Sequence, residues 1–184
     1  EKAREFVNEQ VSDTEVALQG ARDIVAEEIA ENASIRDMAR QSLMKYGVII
    51  SKKARGKNVP EGPTKFEDYY DFQEPLRRIP SHRYLALRRG ESEKILSLKI
   101  DLEADQLMTR FCNFYRLQTN AWGDQLKLVI DDAWKRLILP SLESELLGHL
   151  KEQSDETAID IFAENLRELL MSSPFGTRTT LGLD

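Results

Sequence analysis

Residues 12–32 read SDTEVALQGARDIVAEEIAEN, and this stretch decides the fold class of the chain. Its first four residues have capping-box spacing, in which Ser12 accepts a hydrogen bond from the backbone N–H three residues on and Glu15 reaches back. Four apolar residues then recur at the spacing of one α-helical face: Leu18, Ala21, Val25 and Ile29. The stretch therefore predicts an amphipathic helix that ends near Asn32.

Most of the remaining chain has the same helical character. A second helix is predicted at 34–47, where Gly47 is expected to form a left-handed cap. The capping box at 64–67 predicts an aromatic helix that Pro75 breaks. A further helix is expected between Pro80 and Gly90. Apolar periodicity predicts four more helices, at 103–119, 122–139, 141–153 and 155–172.

Two short segments have strand character instead. Residues 48–54 begin with a β-branched run directly after a glycine, and residues 95–100 alternate with a period of two. These two segments are expected to pair. The glycines and prolines of 55–64 predict a mobile loop between the first segment and the next helix. The predicted fold is mainly α, an irregular multi-helix domain with one small two-stranded β ribbon.

Composition excludes several classes of protein. A single cysteine, Cys112, cannot form an internal disulfide and is typical of a reducing compartment, so a cytoplasmic location is expected. No run of about eighteen apolar residues is present to span a membrane. No phosphate-binding loop, dinucleotide fingerprint or nucleophile motif occurs, and the two histidines lack partners at metal-ligand spacing. We therefore expect no enzyme activity, metal, cofactor or small-molecule substrate.

Charge is unevenly distributed along the chain. Residues 45–94 contain 12 basic and 7 acidic residues, a net of +5, although the whole chain carries −6. Basic side chains can neutralise phosphates and aromatic rings can stack on bases. The candidate nucleic-acid-binding residues are Lys52, Lys53, Arg55, Lys57, Arg77, Arg78, Arg83, Arg88 and Arg89. The alternative is that the interleaved aromatic residues form core and the arginines pair with nearby carboxylates, and the sequence leaves both open.

A resemblance to a known family rests on residues 69–93, YYDFQEPLRRIPSHRYLALRRGESE. This segment resembles the Tex family of bacterial transcription accessory proteins, most specifically at Pro80-Ser81-His82-Arg83 and Arg89-Gly90-Glu91. Three more segments are similar to the same family in the same order: ALQGARDIVAEEIAE at 17–31, RLILPSLESEL at 136–146 and AIDIFAENLRELL at 158–170. The resemblance covers nearly the whole chain.

The resemblance implies that residues 1–176 form a helical Tex-like central or N-terminal region. Residues 177–184 would be the truncated first strand of an RNase H-like (YqgF-type) domain, in which Asp184 lacks the acidic partners that a nuclease needs. Helix-hairpin-helix elements and an OB-fold RNA-binding domain would follow. In such a protein RNA or DNA would be bound mainly by other domains.

The implied function is therefore a helical scaffold within a nucleic-acid-binding transcription accessory protein. Two alternatives remain open. The chain could be a protein-interaction module that contacts the transcription machinery without touching nucleic acid. The longer protein could also be a metal-dependent nuclease.

Overall fold

The computed structural model describes residues 2–7, 11–55 and 64–173, together with Gly176 and Gly182. The α-helices are α1 (Thr14–Glu31), α2 (Ala33–Tyr46), α3 (Ser81–Ser92), α4 (Asp105–Phe114), α5 (Ala121–Asp132) and α6 (Leu139–Met171). The strands are β1 (Val48–Lys53), β2 (Asp71–Pro75) and β3 (Leu96–Asp101). Short 3₁₀ segments lie at Lys2–Phe6, Glu67–Tyr69 and Leu76–Arg78, and a π-helical segment at Ala133–Ile138 joins α5 to α6. The prediction of a mainly α fold is confirmed.

The helix caps differ from the predicted ones. Asp13 rather than Ser12 caps α1, because its carboxylate accepts the N–H groups of Glu15 and Val16 at 2.8 and 3.0 Å. Gly47 ends α2 with extended backbone rather than in the left-handed region. A side chain there would meet the carbonyl oxygen of Leu43 at 2.3 Å, so glycine lets the chain pass directly from α2 into β1.

The β structure has three strands rather than the two predicted. β1 is central and pairs antiparallel with β2 on one side and β3 on the other, with Ile50 opposite both Gln73 and Lys99. The aromatic helix predicted from residue 64 is wrong: it is replaced by the single 3₁₀ turn Glu67–Tyr69, followed by β2. The capping box there forms one turn only, because pairing with β1 satisfies the backbone of the next five residues.

One face of the sheet packs into the core, and α3 joins that face to α6. Ile49, Leu98 and Ile100 on the inner face are buried. Gly90 does not end α3 as predicted but lies inside it against β3, where an added methyl group would come within 2.5 Å of Leu96. On the other side of α3, the buried hydroxyl of Tyr84 donates to the carbonyl of Leu147 on α6, and burial raises its pKa to about 12.

The predicted breaks near residues 140 and 154 are absent, and α6 is one helix of 33 residues. Just before it, the Leu139 N–H donates to the carbonyl of Trp134, five residues back. This wider π turn accommodates Pro140, which has no N–H to donate. The first half of α6 is anchored by buried side chains, and the second half is exposed. α4 is also shorter than the helix predicted at 103–119, since it ends at Phe114.

Candidate nucleic-acid interface

The candidate basic residues fall into two groups, one along β1 and one around α3. Lys52 pairs across the sheet with Asp71, whereas Val48, at the other end of β1, pairs with Pro75. Arg83 contacts Glu74, which lies opposite the buried Ile49, so this arginine belongs to the inner face of the sheet, whereas Lys52 points to the outer face. Lys57 lies outside the described residues, as do most of the predicted mobile loop and almost all of 177–184. Within the described chain, segment 45–94 does not form one continuous basic patch.

The arginine group comprises Arg77, Arg78, Arg83, Arg88 and Arg89, and two of its members are paired. Nη1 of Arg83 donates to both carboxylate oxygens of Glu74 at 2.8 Å, and its guanidinium lies 5.8 Å from the ring of Phe72. The hydrogen bonds that Arg83 donates to Glu74 raise the pKa of Arg83. Arg88 pairs with Glu91 one helical turn on. These two contacts are the carboxylate pairing that the alternative interpretation proposes.

The other three arginines are exposed. Arg77 and Arg78 lie on the 3₁₀ turn after β2, and Arg89 lies on α3. Arg89 borders a groove between α3 and α6 whose lining includes Leu85 and Ile161. These arginines are available to solvent but are not arranged around a common concave surface.

The lysine group borders a groove over the outer face of the sheet. Lys52, Lys53 and Arg55 line a shallow groove of about 1020 Å³ together with Lys99 of β3. Lys99 was not among the predicted residues. Because Lys99 alternates with the buried Leu98 and Ile100, its side chain lies on the outer face of the sheet. Only the register of β3 against β1 places it beside Lys52.

The interleaved aromatic residues mostly belong to the core. Phe66 and Tyr84 are buried, and Tyr69 packs edge-to-face on Phe72 with ring centroids 5.5 Å apart. Tyr70 is half-buried at the rim of the groove, where the ammonium of Lys53 lies 4.9 Å from its ring centre. Aromatic residues are thus structural here, with Tyr70 as the one that also borders the basic groove.

Two other classes of site were considered for the described part of the chain. It contains no group of three or more His, Cys, Asp or Glu side chains placed to hold a metal ion. None of its helices combines the length and the apolar character needed to cross a membrane.

Comparison with known proteins decides the family. A family model described as Tex central region-like matches residues 1–162. Protein tex of Bordetella pertussis is 38% identical over 198 residues, covering 99% of this chain and 25% of that protein. The chain belongs to the Tex family.

Similar proteins also occur in organisms other than Bordetella pertussis. Transcriptional accessory protein Tex of Neisseria gonorrhoeae is 37% identical over 188 residues, covering 99% of this chain and 25% of that protein. S1 RNA-binding domain-containing protein 1 of Homo sapiens is 32% identical over 181 residues, covering 90% of this chain and 18% of that protein. The chain therefore spans about a quarter of the length of its bacterial Tex relatives.

The segment that carried the resemblance is a packing junction of this Tex central region. Pro80 precedes the first turn of α3, and three residues of that helix face the core: Tyr84, Leu87 and Gly90. From the same segment, Arg83 forms an ion pair with Glu74 on β2, and Arg88 forms one with Glu91 on α3. The most Tex-like part of the sequence thus fixes α3 between the sheet and α6.

Proposed function

We propose that this chain is the helical scaffold portion of a longer transcription accessory protein that binds nucleic acid in the cytoplasm, and that it is not itself catalytic. Membership of the Tex family supports the role in transcription. The name of the human relative, which refers to an S1 RNA-binding domain, supports RNA as a ligand of the longer protein. The observation that carries the scaffold role is an exposed apolar stripe on α6.

The stripe occupies one side of the second half of α6. At 100° per residue its members fall within an arc of about 120°, and they are Ile159, Phe162, Ala163, Leu166, Leu169 and Leu170. The opposite side carries Asp160, Glu164, Arg167 and Glu168, together with the apolar Ile161 and Met171. Phe162 is 66% exposed and Leu170 74% exposed. A helix with this amphipathic pattern is built to pack against another element along its apolar side.

The first half of the same helix is firmly held by the domain. Leu142 and Leu146 are buried, and Glu145 accepts hydrogen bonds from Nε and Nη2 of Arg40 on α2 at 2.6 and 3.2 Å. This contact lowers the pKa of Glu145 and raises that of Arg40. One half of α6 is therefore fixed while the other half presents its stripe, as a scaffold requires.

We assign the occupant of the stripe to other segments of the longer protein, because Tex relatives are about four times the length of this chain. A matched pair of variants tests this. Phe162→Gln with Leu166→Gln alters the stripe, and Glu164→Gln with Glu168→Gln introduces the same residue on the polar side.

In the 184-residue chain both double variants should unfold within about 0.5 kcal/mol of the parent, because all four positions are exposed. In the longer protein the stripe variant should lose about 1.5–3 kcal/mol for each apolar side chain and be cleaved faster by trypsin. The polar-side variant should behave like the parent. Equal stability of both variants in the longer protein would contradict the scaffold role.

The nucleic-acid part of the proposal has its own test. The longer protein should bind single-stranded RNA or DNA with an affinity that falls as salt increases, since phosphate contacts release counterions. A second candidate, a protein-interaction module for the transcription machinery, is favoured by the exposure of Trp122 (69%) and Leu128 (58%) on α5. Co-purification of RNA polymerase without nucleic-acid binding at low salt would favour that candidate.

A further inference from the structure

The outer face of the sheet is uncovered by other elements in the described chain and carries one lysine on β1 and one on β3. Inward-facing Ile49, Leu98 and Ile100 are buried, so the residues between them point outward. Ile50 lies opposite Lys99 and Lys52 lies opposite Ser97. Lys52 and Lys99 are therefore diagonal neighbours on one face, about 7–8 Å apart at this kind of position.

Asp71 lies opposite Lys52 on this face, yet Lys52 and Lys99 form no close ion pair in the described part of the chain. None of its ion pairs includes Lys52, Arg55 or Lys99. The described lining of the groove has four basic residues and two acidic ones, Asp71 and Asp101, a net of +2 in a chain of −6. The groove thus concentrates positive charge on a protein that is otherwise acidic.

The lining also offers uncharged contacts. Half-buried Ile50 lies next to both lysines and supplies apolar surface, while Ser97 supplies a neutral hydrogen-bonding group. Tyr70 borders the groove. A sheet face that combines cations with apolar and aromatic surface is a common platform for single-stranded nucleic acid.

An extended acidic peptide fits this surface less well. Peptides that bind sheets gain affinity from backbone hydrogen bonds at a sheet edge, and the groove lies on a face, where only side chains are available. The outer edge of β3 is also partly occupied, since Glu143 on α6 accepts the N–H of Ile100 at 2.5 Å. The features of the face therefore favour a strand of phosphates over a peptide.

We infer that the outer face of the sheet, through Lys52, Arg55 and Lys99, is a phosphate-contacting surface for single-stranded nucleic acid. This inference rests on the proposed function and adds a site to it. Binding should be weak and insensitive to sequence, with a dissociation constant of roughly 0.1 mM to 1 µM, because phosphate contacts carry no base information.

The test uses the 184-residue chain. It measures how the affinity of that chain for an oligouridylate, about 12 nucleotides long, depends on salt. Lys52→Gln with Lys99→Gln should flatten the slope of log affinity against log salt by about 1.4, because each single-strand phosphate contact contributes about 0.7. Lys127→Gln with Lys135→Gln makes the same charge change on α5 and the π-helical segment and should leave the slope within about 0.3 of the parent. Lys99→Arg should retain binding, since arginine also contacts phosphate.

Four outcomes would overturn the inference, and the first three leave the proposed function standing. Unchanged affinity and slope in the Lys52 and Lys99 variant would do so while leaving the proposed function intact. Equal loss in both double variants would show that only net charge matters. Equally tight binding of a polyglutamate peptide, lost in the same variant, would assign the face to acidic peptides. Failure of the longer protein to bind any nucleic acid would instead refute the proposed function, and this inference with it.

Discussion

The lysine group on the sheet and the arginine group around α3 come from one basic segment, but they have different surroundings. On the sheet, alternation turns Lys52 and Lys99 onto an uncovered face. Around α3, Glu74 from β2 and Glu91 one helical turn on supply partners for Arg83 and Arg88. Lys52 and Lys99 thus form no ion pair in the described part of the chain, although Asp71 lies opposite Lys52, whereas Arg83 and Arg88 are held by carboxylates. We expect the α3 region to govern stability and the sheet face to govern binding.

Gly90→Ala should have the largest effect on the stability of the α3 region. The added methyl group would meet Leu96 at 2.5 Å and the ring of Phe66 at 3.2 Å, so either the buried Leu96 side chain or α3 itself would have to shift. We expect a loss of about 1–3 kcal/mol in urea-induced unfolding. Gly148→Ala is the matched control, because nothing lies within 4 Å of its added carbon. It should stabilise α6 by about 0.5–1 kcal/mol, and similar losses at both positions would contradict the packing described for α3.

Tyr84→Phe should have the next largest effect. It removes only the hydroxyl that donates to Leu147 and leaves the buried ring in place. The expected loss is about 1 kcal/mol in the free energy of unfolding, the usual net worth of one hydrogen bond. Tyr46→Phe, at an exposed position 57% accessible to solvent, should change nothing. An unchanged Tyr84→Phe variant would show that α3 and α6 are joined by apolar contacts alone.

Arg83→Gln should have a smaller effect on stability and none on binding. The ion pair with Glu74 is partly exposed, with 37% of the Arg83 side chain accessible, so its loss should lower stability only slightly. A double-mutant cycle with Glu74→Gln isolates the contribution of the pair. If Arg83→Gln instead weakened oligouridylate binding as much as the Lys52 and Lys99 variant, the two groups would not differ in the way described.

The smallest expected effect is that of Lys52→Gln with Lys99→Gln on stability. Both side chains are exposed and lack ion pairs in the described part of the chain, so unfolding should shift by less than about 0.5 kcal/mol. Thermal unfolding by circular dichroism measures this. A larger loss would assign these lysines a structural role and remove the contrast with the arginines.

Local signals in the sequence predicted most of the helices and two strands, because caps and apolar periodicity act over a few residues. They failed where contacts between residues far apart in the sequence determine the structure. β2 was missed because its backbone is satisfied by pairing with β1, which outweighs the capping box before it. The continuity of α6 was missed because Pro140 normally breaks a helix, and here a π turn accommodates it.

The candidate site was only partly predictable for the same reason. Lys52, Lys53 and Arg55 are adjacent in sequence, and charge clustering was enough to find them. Lys99 is about fifty residues further on, and its place beside Lys52 depends on strand register, which no local pattern fixes. The pairing of Arg83 with Glu74 likewise depends on β2, the strand that the sequence did not predict.

The most direct test of the contrast between the two basic groups is a nuclear magnetic resonance titration of the chain with oligouridylate. If the sheet face is the binding surface, the largest backbone amide shifts should occur at Ile50, Lys52, Ser97 and Lys99, and they should diminish as salt is added. The amides of α3 should move little. Largest shifts along α3, at His82 to Arg89, with the sheet face unaffected, would contradict the account.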